Sequence, residues 1–329
     1  MFMLQTKMRR VLSLLLALSL VACLAAGCGG TAAQEETAVD LGGLLDESVP
    51  LAGAPALSVT LAPTAPGTAT KANSSALVDY SNAQDGYVMV KWTGGGTPKL
   101  KVLIKGPTCP DTYQYNLRTD GEYDTFPLSD GSGKYSVIVY KNLSGNNYSE
   151  VLSAKVDAKL TDEFAPFIRP NQYVNYTDSS EALKVAADEI AKAGVTDNLD
   201  KVGVIYDYVV NNLTYDTAKA KSVKSGYLPD IDKVLSEKKG ICFDYAALMA
   251  AMLRSQGVPV KLVVGYTGEI YHAWLNVWSE EDGWVDGLIY FDGKDWKLMD
   301  PTFASSGKQS SAIMKYIGNG ANYKAKFLY

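Results

Sequence analysis

Cys242 lies in the run Gly240-Ile241-Cys242-Phe243-Asp244-Tyr245, just after a glycine and at the expected start of a helix. A helix N-terminus presents unpaired N–H groups and partial positive charge. Both favour a thiolate and can bind the oxyanion of a tetrahedral intermediate. A cysteine on an apolar helix is, by itself, more often a small buried hydrophobe. His272 is the sole histidine of the chain and falls in Tyr271-His272-Ala273-Trp274. A strand there places His272, Trp274 and Asn276 on one face. A thiol nucleophile needs a base, and this chain offers one imidazole. Asp300, in Met299-Asp300-Pro301-Thr302, is turn chemistry on its own. As a third member it would accept the second imidazole N–H and fix the tautomer.

These residues belong to a longer series. Lys239 to Ala246 is followed by Leu253-Arg254-Ser255-Gln256-Gly257-Val258-Pro259, then by Tyr271 to Trp274, then by Met299 to Thr302. The spacings are 30 residues (242 to 272) and 28 residues (272 to 300). The series resembles the transglutaminase-like core, and Tyr208-Val209-Val210-Asn211-Asn212-Leu213-Thr214-Tyr215-Asp216 resembles the helix and turn that open it. The resemblance covers roughly residues 180–305. It implies a papain-like arrangement with Cys242 as nucleophile, His272 as base and then acid, and Asp300 as orienter. It further implies a thiol enzyme acting on amide bonds through an acyl-enzyme, as a transglutaminase, deamidase or peptidase. The alternative is a non-catalytic, peptide-binding surface module of the same fold. Asp244 is expected to support the helix start and Arg254 to pair structurally.

One feature of animal transglutaminases is missing. They carry a tryptophan upstream of the nucleophile that helps bind the oxyanion, whereas the five tryptophans here are Trp92, Trp274, Trp278, Trp284 and Trp296. None lies in the helical stretch before Cys242, so Tyr215 and Tyr227 are the candidate hydroxyl donors. There is no calcium loop of the Asp-x-Asp-x-Asp-Gly type and no zinc-type spacing. No metal and no cofactor are expected.

The elements that must position these side chains fall into two domains. Residues 76–160 alternate with period two, as in Val88, Val90 and Trp92 or Leu100, Val102 and Ile104, and turn signals such as Asp120-Gly121 and Asp130-Gly131 separate the runs. Short strands at that spacing predict an all-β, sandwich-like domain. Its aromatics Tyr113, Tyr115 and Tyr123 read as ordinary strand residues, exposed in pattern, and nothing in them specifies a ligand. Residues 161–329 change to helical periodicity. One helix carries Leu183, Ala186, Ala187 and Ile190 after a cap at Asp178 or Ser179. A second carries Leu199, Val202, Ile205, Tyr206 and Val209, and a third starts near Cys242 with Tyr245, Leu248, Met249 and Met252 on one face. Strands follow at 260–264, 271–278, 284–291 and 296–299, so the expected fold is α+β, transglutaminase-like (papain-like), preceded by the β-sandwich-like domain. The stretch 313–329 is expected to pack against the core.

The N-terminus sets the compartment. Lys7, Arg9 and Arg10 precede an apolar run at 11–20, about half the ~20 residues that a membrane span needs. Leu24-Ala25-Ala26-Gly27-Cys28 resembles the bacterial lipoprotein signal, with Leu20-Val21-Ala22-Cys23 as a competitor. Residues 1–28 are thus expected to be a lipoprotein signal peptide and Cys28 the lipidated residue, with Cys23 as the alternative. Residues 29–75, rich in Gly, Ala, Thr and Pro, are expected to form a flexible tether. The protein would then be extracytoplasmic and anchored to the cell membrane by lipid. Its partners would be protein or peptide substrates outside the cytoplasm. After processing, Cys109 and Cys242 remain; a bridge between them is compatible with export, but the residues around Cys242 point to a working thiol. A net charge of -5, with the basic residues scattered, argues against nucleic acid. Charged residues at 20% and hydrophobic ones at 47% exclude wholesale disorder.

Overall fold

Alternation of apolar and polar residues builds the first half. In the computed structural model, which describes residues 60–267, 270–280, 283–291, 296–298 and 323–329, eight strands precede the first long helix. They are β1 (Thr70–Ala72), β2 (Ala76–Asp79), β3 (Tyr87–Trp92), β4 (Leu100–Lys105), β5 (Tyr113–Asn116), β6 (Asp124–Pro127), β7 (Gly133–Ser144) and β8 (Asn147–Ala158). They form two four-stranded sheets, ordered β1-β2-β3-β6 and β5-β4-β7-β8. The inward faces interdigitate: Val78, Val88, Val90 and Phe126 from one sheet and Val102, Ile104, Val137 and Val139 from the other are buried. The sheet starts before residue 76. Thr70–Ala72 pairs antiparallel with β2, inside the stretch whose composition reads as tether. Asp79 holds that approach by accepting from the Gly67 N–H at 2.7 Å.

Tyr113 and Tyr115 are buried, contrary to their exposed pattern. They sit where the sandwich meets the second half: Tyr113 packs on Phe327 (5.0 Å between ring centroids) and Tyr115 on Tyr173 (5.6 Å). Tyr123 is half-buried, with the Lys91 ammonium 4.6 Å above its ring.

Among the described residues the second half has five helices: α1 (Glu181–Ala193), α2 (Asn198–Asn212), α3 (Thr217–Ser222), α4 (Ile231–Glu237) and α5 (Cys242–Ser255). Ser180 rather than Asp178 or Ser179 precedes α1, and Gly194 closes it in a left-handed turn. Asp197, Asp216 and Asp230 cap α2, α3 and α4 through side-chain bonds to backbone N–H groups. The short strands β9 (Thr214–Tyr215) and β10 (Lys239–Gly240) pair in parallel beside the start of α5. A five-stranded sheet follows, in the order β14-β13-β12-β11-β15, made of β11 (Val260–Thr267), β12 (Ile270–Ser279), β13 (Gly283–Phe291), β14 (Trp296–Leu298) and β15 (Tyr323–Leu328). The pairing of β15 with β11 brings the end of the chain onto the core; residues 313–322 lie outside the described residues.

Helix α5 is the centre of this half. Its sequence suggests one apolar face, yet from Asp244 to Ser255 it is buried all round. Helices α1, α2 and α4 cover one side and strands β11 and β12 the other. Ala246, Ala247, Ala250 and Ala251 let the neighbours approach that closely. Among the described residues no helix is long and apolar enough to cross a membrane.

Candidate active site

Cys242 is the first residue of α5. The chain reaches it through β10, and Gly240 is needed there: a Cβ at that position would lie 2.6 Å from the Cβ of Asp244. The parallel ladder sets Tyr215 beside Gly240, and the Asp216 N–H donates to the Gly240 carbonyl at 2.8 Å. This ladder brings the Tyr215 hydroxyl close enough to Cys242 for each group to shift the other's titration. Strand β12 passes beside the sulfur, with the Ala273 N–H near enough to favour the thiolate. His272, the residue before it, lies on β12 opposite Gly265 of β11 and is buried. The structure therefore brings Cys242, Tyr215 and the 272–273 segment together. Asp300 lies outside the described residues, as do Cys23 and Cys28. Cys109 and Cys242 are both free thiols.

Burial governs the charge of Cys242 and His272. It pulls the His272 imidazole down to about 4, so the ring is neutral near pH 7. Burial also raises the Cys242 thiol, and the Asp244 charge adds to that. The Ala273 and Phe243 N–H groups and the Tyr215 hydroxyl oppose it without overcoming it. A helix start favours thiolate, but here desolvation outweighs it and the resting sulfur is a thiol.

The two candidate tyrosines separate. Tyr215 is at the sulfur; burial first, then the nearby Cys242, raises its hydroxyl above the ordinary tyrosine range. Tyr227 is engaged instead in the first turn of α5. Its hydroxyl donates to Asp244 Oδ1 at 2.5 Å and accepts from Lys219 Nζ at 2.6 Å. Asp244 Oδ2 accepts from the Ile241 N–H at 2.8 Å and from Lys219 Nζ at 2.6 Å, so Asp244 supports the helix start. Arg254 is fully buried and structural: its guanidinium donates to the carbonyls of Val260 (2.7 Å), Arg169 (2.7 Å) and Tyr329 (2.6 Å). Burial lowers it to about 10.

Sequence reasoning missed Lys219 and the aromatic wall beside the nucleophile, where Phe243 packs on Tyr173 (5.4 Å) and Tyr173 on Tyr329 (4.3 Å). Asp216 as a helix cap was a usable signal for α3, and hence for a lysine three residues on. The wall joins residues far apart in sequence and left no local signal. Among the described residues no group of three or more His, Cys, Asp or Glu side chains is placed to hold a metal.

Residues 186–286 match the sequence model of the transglutaminase-like superfamily. The uncharacterized protein YebA of Bacillus subtilis is 27% identical over 213 residues, which cover 58% of this chain and 28% of that protein. A protein-glutamine gamma-glutamyltransferase of Pseudomonas aeruginosa is 34% identical over 68 residues, 16% of this chain and 10% of that protein. The chain thus spans under a third of the length of either relative. A solved transglutaminase structure aligns at 23% identity and a TM-score of 0.32, covering 44% of this chain and 40% of its own. By the family match, the α+β half of this chain carries a transglutaminase-like domain.

Proposed function

We propose that the protein is a thiol enzyme that acts on amide carbonyls through a Cys242–His272–Asp300 triad. The placement of Cys242 at the head of a buried helix, with the Ala273 N–H and the Tyr215 hydroxyl near its sulfur, carries this reading. The neutral imidazole of His272 takes the thiol proton as sulfur adds to the carbonyl carbon. The oxyanion then forms near the Cys242 N–H and the Tyr215 hydroxyl, both of which can donate to it. As the C–N bond breaks, His272 returns the proton to the departing amine and a thioester remains. Water then gives the acid, by deamidation or peptide hydrolysis, and an incoming amine gives a crosslink. Asp300 is proposed to accept the second imidazole N–H. The test is mass-spectrometric detection of the thioester on Cys242 after mixing the full chain with glutamine-containing peptides.

A second reading is favoured by one observation. The resting thiol is raised by burial rather than lowered, which suits a peptide-binding module without turnover. Absence of any thioester, with peptide binding retained, would decide for it.

We also propose that the substrates are extracytoplasmic proteins or peptides and that a lipid on Cys28, or on Cys23, holds the enzyme at the membrane. The order of basic, apolar and small residues before each cysteine supports this. In cells fed a radiolabelled fatty acid, Cys28→Ala is expected to lose the label and Cys23→Ala to keep it. Label retained in both variants would refute lipidation at Cys28.

A further inference from the structure

We propose that Lys219 is a positioning residue that sets the reactivity of the Cys242 thiol by cancelling the charge of Asp244. The proposal deepens the reading of Cys242 as nucleophile and rests on it.

Asp244 is fully buried in the first turn of α5. Its carboxylate raises the thiol two residues before it, because a negative charge nearby opposes formation of a second one. Left alone, that carboxylate would hold the nucleophile back. Among the described residues one cation touches it: Lys219 Nζ lies 2.6 Å from Oδ2, 2.6 Å from the Tyr227 hydroxyl and 4.3 Å above the Tyr227 ring. The lysine comes from α3, four residues after Tyr215, and its side chain is largely covered. One short segment therefore carries both the hydroxyl near the sulfur and the ammonium that neutralises the carboxylate behind it. Asp216, at the start of the same segment, pairs with Lys239 at 3.8 Å. Among the described titratable groups, Tyr215 on β9 acts on the thiol, Tyr227 in the loop after α3 bonds Asp244, Tyr245 on α5 neighbours Tyr215, and His272 precedes Ala273 on β12.

Catalytic residues proper touch the reacting atoms; Lys219 acts through Asp244. A purely structural lysine would alter folding without moving the thiol's titration in the direction that charge dictates.

The experiment is iodoacetamide alkylation of the folded full chain across pH, read by peptide mass spectrometry at Cys242, with Cys109 as internal reference. Lys219→Met is expected to move the Cys242 profile up by about one pH unit, roughly ten-fold slower alkylation at a fixed pH below the midpoint. Lys219→Arg keeps the wild-type profile. Lys219→Met/Asp244→Asn removes both charges and returns the profile to within a few tenths of a unit of wild type. A Lys219→Met profile that superimposes on wild type overturns the proposal. So does a double variant shifted as far as the single one. If Lys219→Met fails to fold, the double variant decides by the same criterion. The readout needs no turnover: a missing thioester on the wild-type protein removes the enzyme reading, while the alkylation profiles still judge Lys219.

Discussion

Burial rather than charge pairing sets the protonation of Cys242 and His272. Cys242 is raised and His272 is lowered to about 4, so the site rests as thiol and neutral imidazole. Since His272 is the sole histidine, its linkage to folding can be isolated. Its folded value lies below the ordinary 6.5. Between the two, the unfolded chain binds a proton that the folded protein does not, and stability rises with pH. This contribution is fully present above about pH 6.5 and is lost as the pH falls toward 4. His272→Gln is expected to flatten the pH dependence of unfolding midpoints across that window, measured in denaturant titrations against wild type; an unchanged slope would show that the ring is not buried neutral. Cys242 and His272 were legible as candidates because each residue type is scarce and sits in a recognisable run. Their electrostatics were not, because desolvation depends on what packs over a side chain from elsewhere. Tyr215 was named without a reason to prefer it to Tyr227; the β9–β10 ladder supplies the reason.

At the scale of elements, period-two alternation located the strands of the sandwich, and the strands of the second sheet fell within a few residues of their expected ends. Helix α5 began at Cys242 as expected. Its complete burial was not legible, since an alanine-rich helix reads as amphipathic until its neighbours are known. Arg254 shows what that burial demands. Its guanidinium ties the last turn of α5 to the start of β11, to the domain junction at Arg169 and to Tyr329. Removing it takes the guanidinium donor from the oxygens of Val260, Arg169 and Tyr329, of which Tyr329 keeps the Leu262 N–H. Arg254→Met is therefore expected to destabilise the protein by about 3 kcal/mol or more, and Arg254→Lys, which lacks the planar fork, restores little. Urea unfolding measures both; a loss below about 1 kcal/mol for the methionine variant would contradict this role.

For the molecule as a whole, the sequence divides residues 76–329 into a β-sandwich-like and an α+β domain, and aromatic side chains join the two. Tyr113 and Tyr115 of β5 pack on Tyr329 at 5.7 and 5.8 Å, and the Leu328 N–H donates to the Tyr113 hydroxyl at 3.3 Å. Aromatic side chains of this size each bury about 150–250 Å². Residues 161–329 expressed alone would expose that seam, and we expect them to lack the cooperative thermal transition of the full chain. A sharp transition at the same temperature, followed by circular dichroism, would show that the seam contributes nothing. The same seam runs through Tyr173 to Phe243, the residue after the nucleophile, so loss of the sandwich reaches the site.

The most direct measurement follows acylation of Cys242 by a glutamine-containing peptide in the full chain, by rapid quench and peptide mass spectrometry. Wild type is expected to accumulate a thioester at Cys242 as ammonia is released, and His272→Ala to form none on the same timescale. Tyr215→Phe, lacking one oxyanion donor, is expected to acylate ~10²–10³-fold more slowly. No thioester on the wild-type protein with peptides of varied sequence, or equal rates in wild type and His272→Ala, would contradict a Cys242–His272 acyl-transfer site.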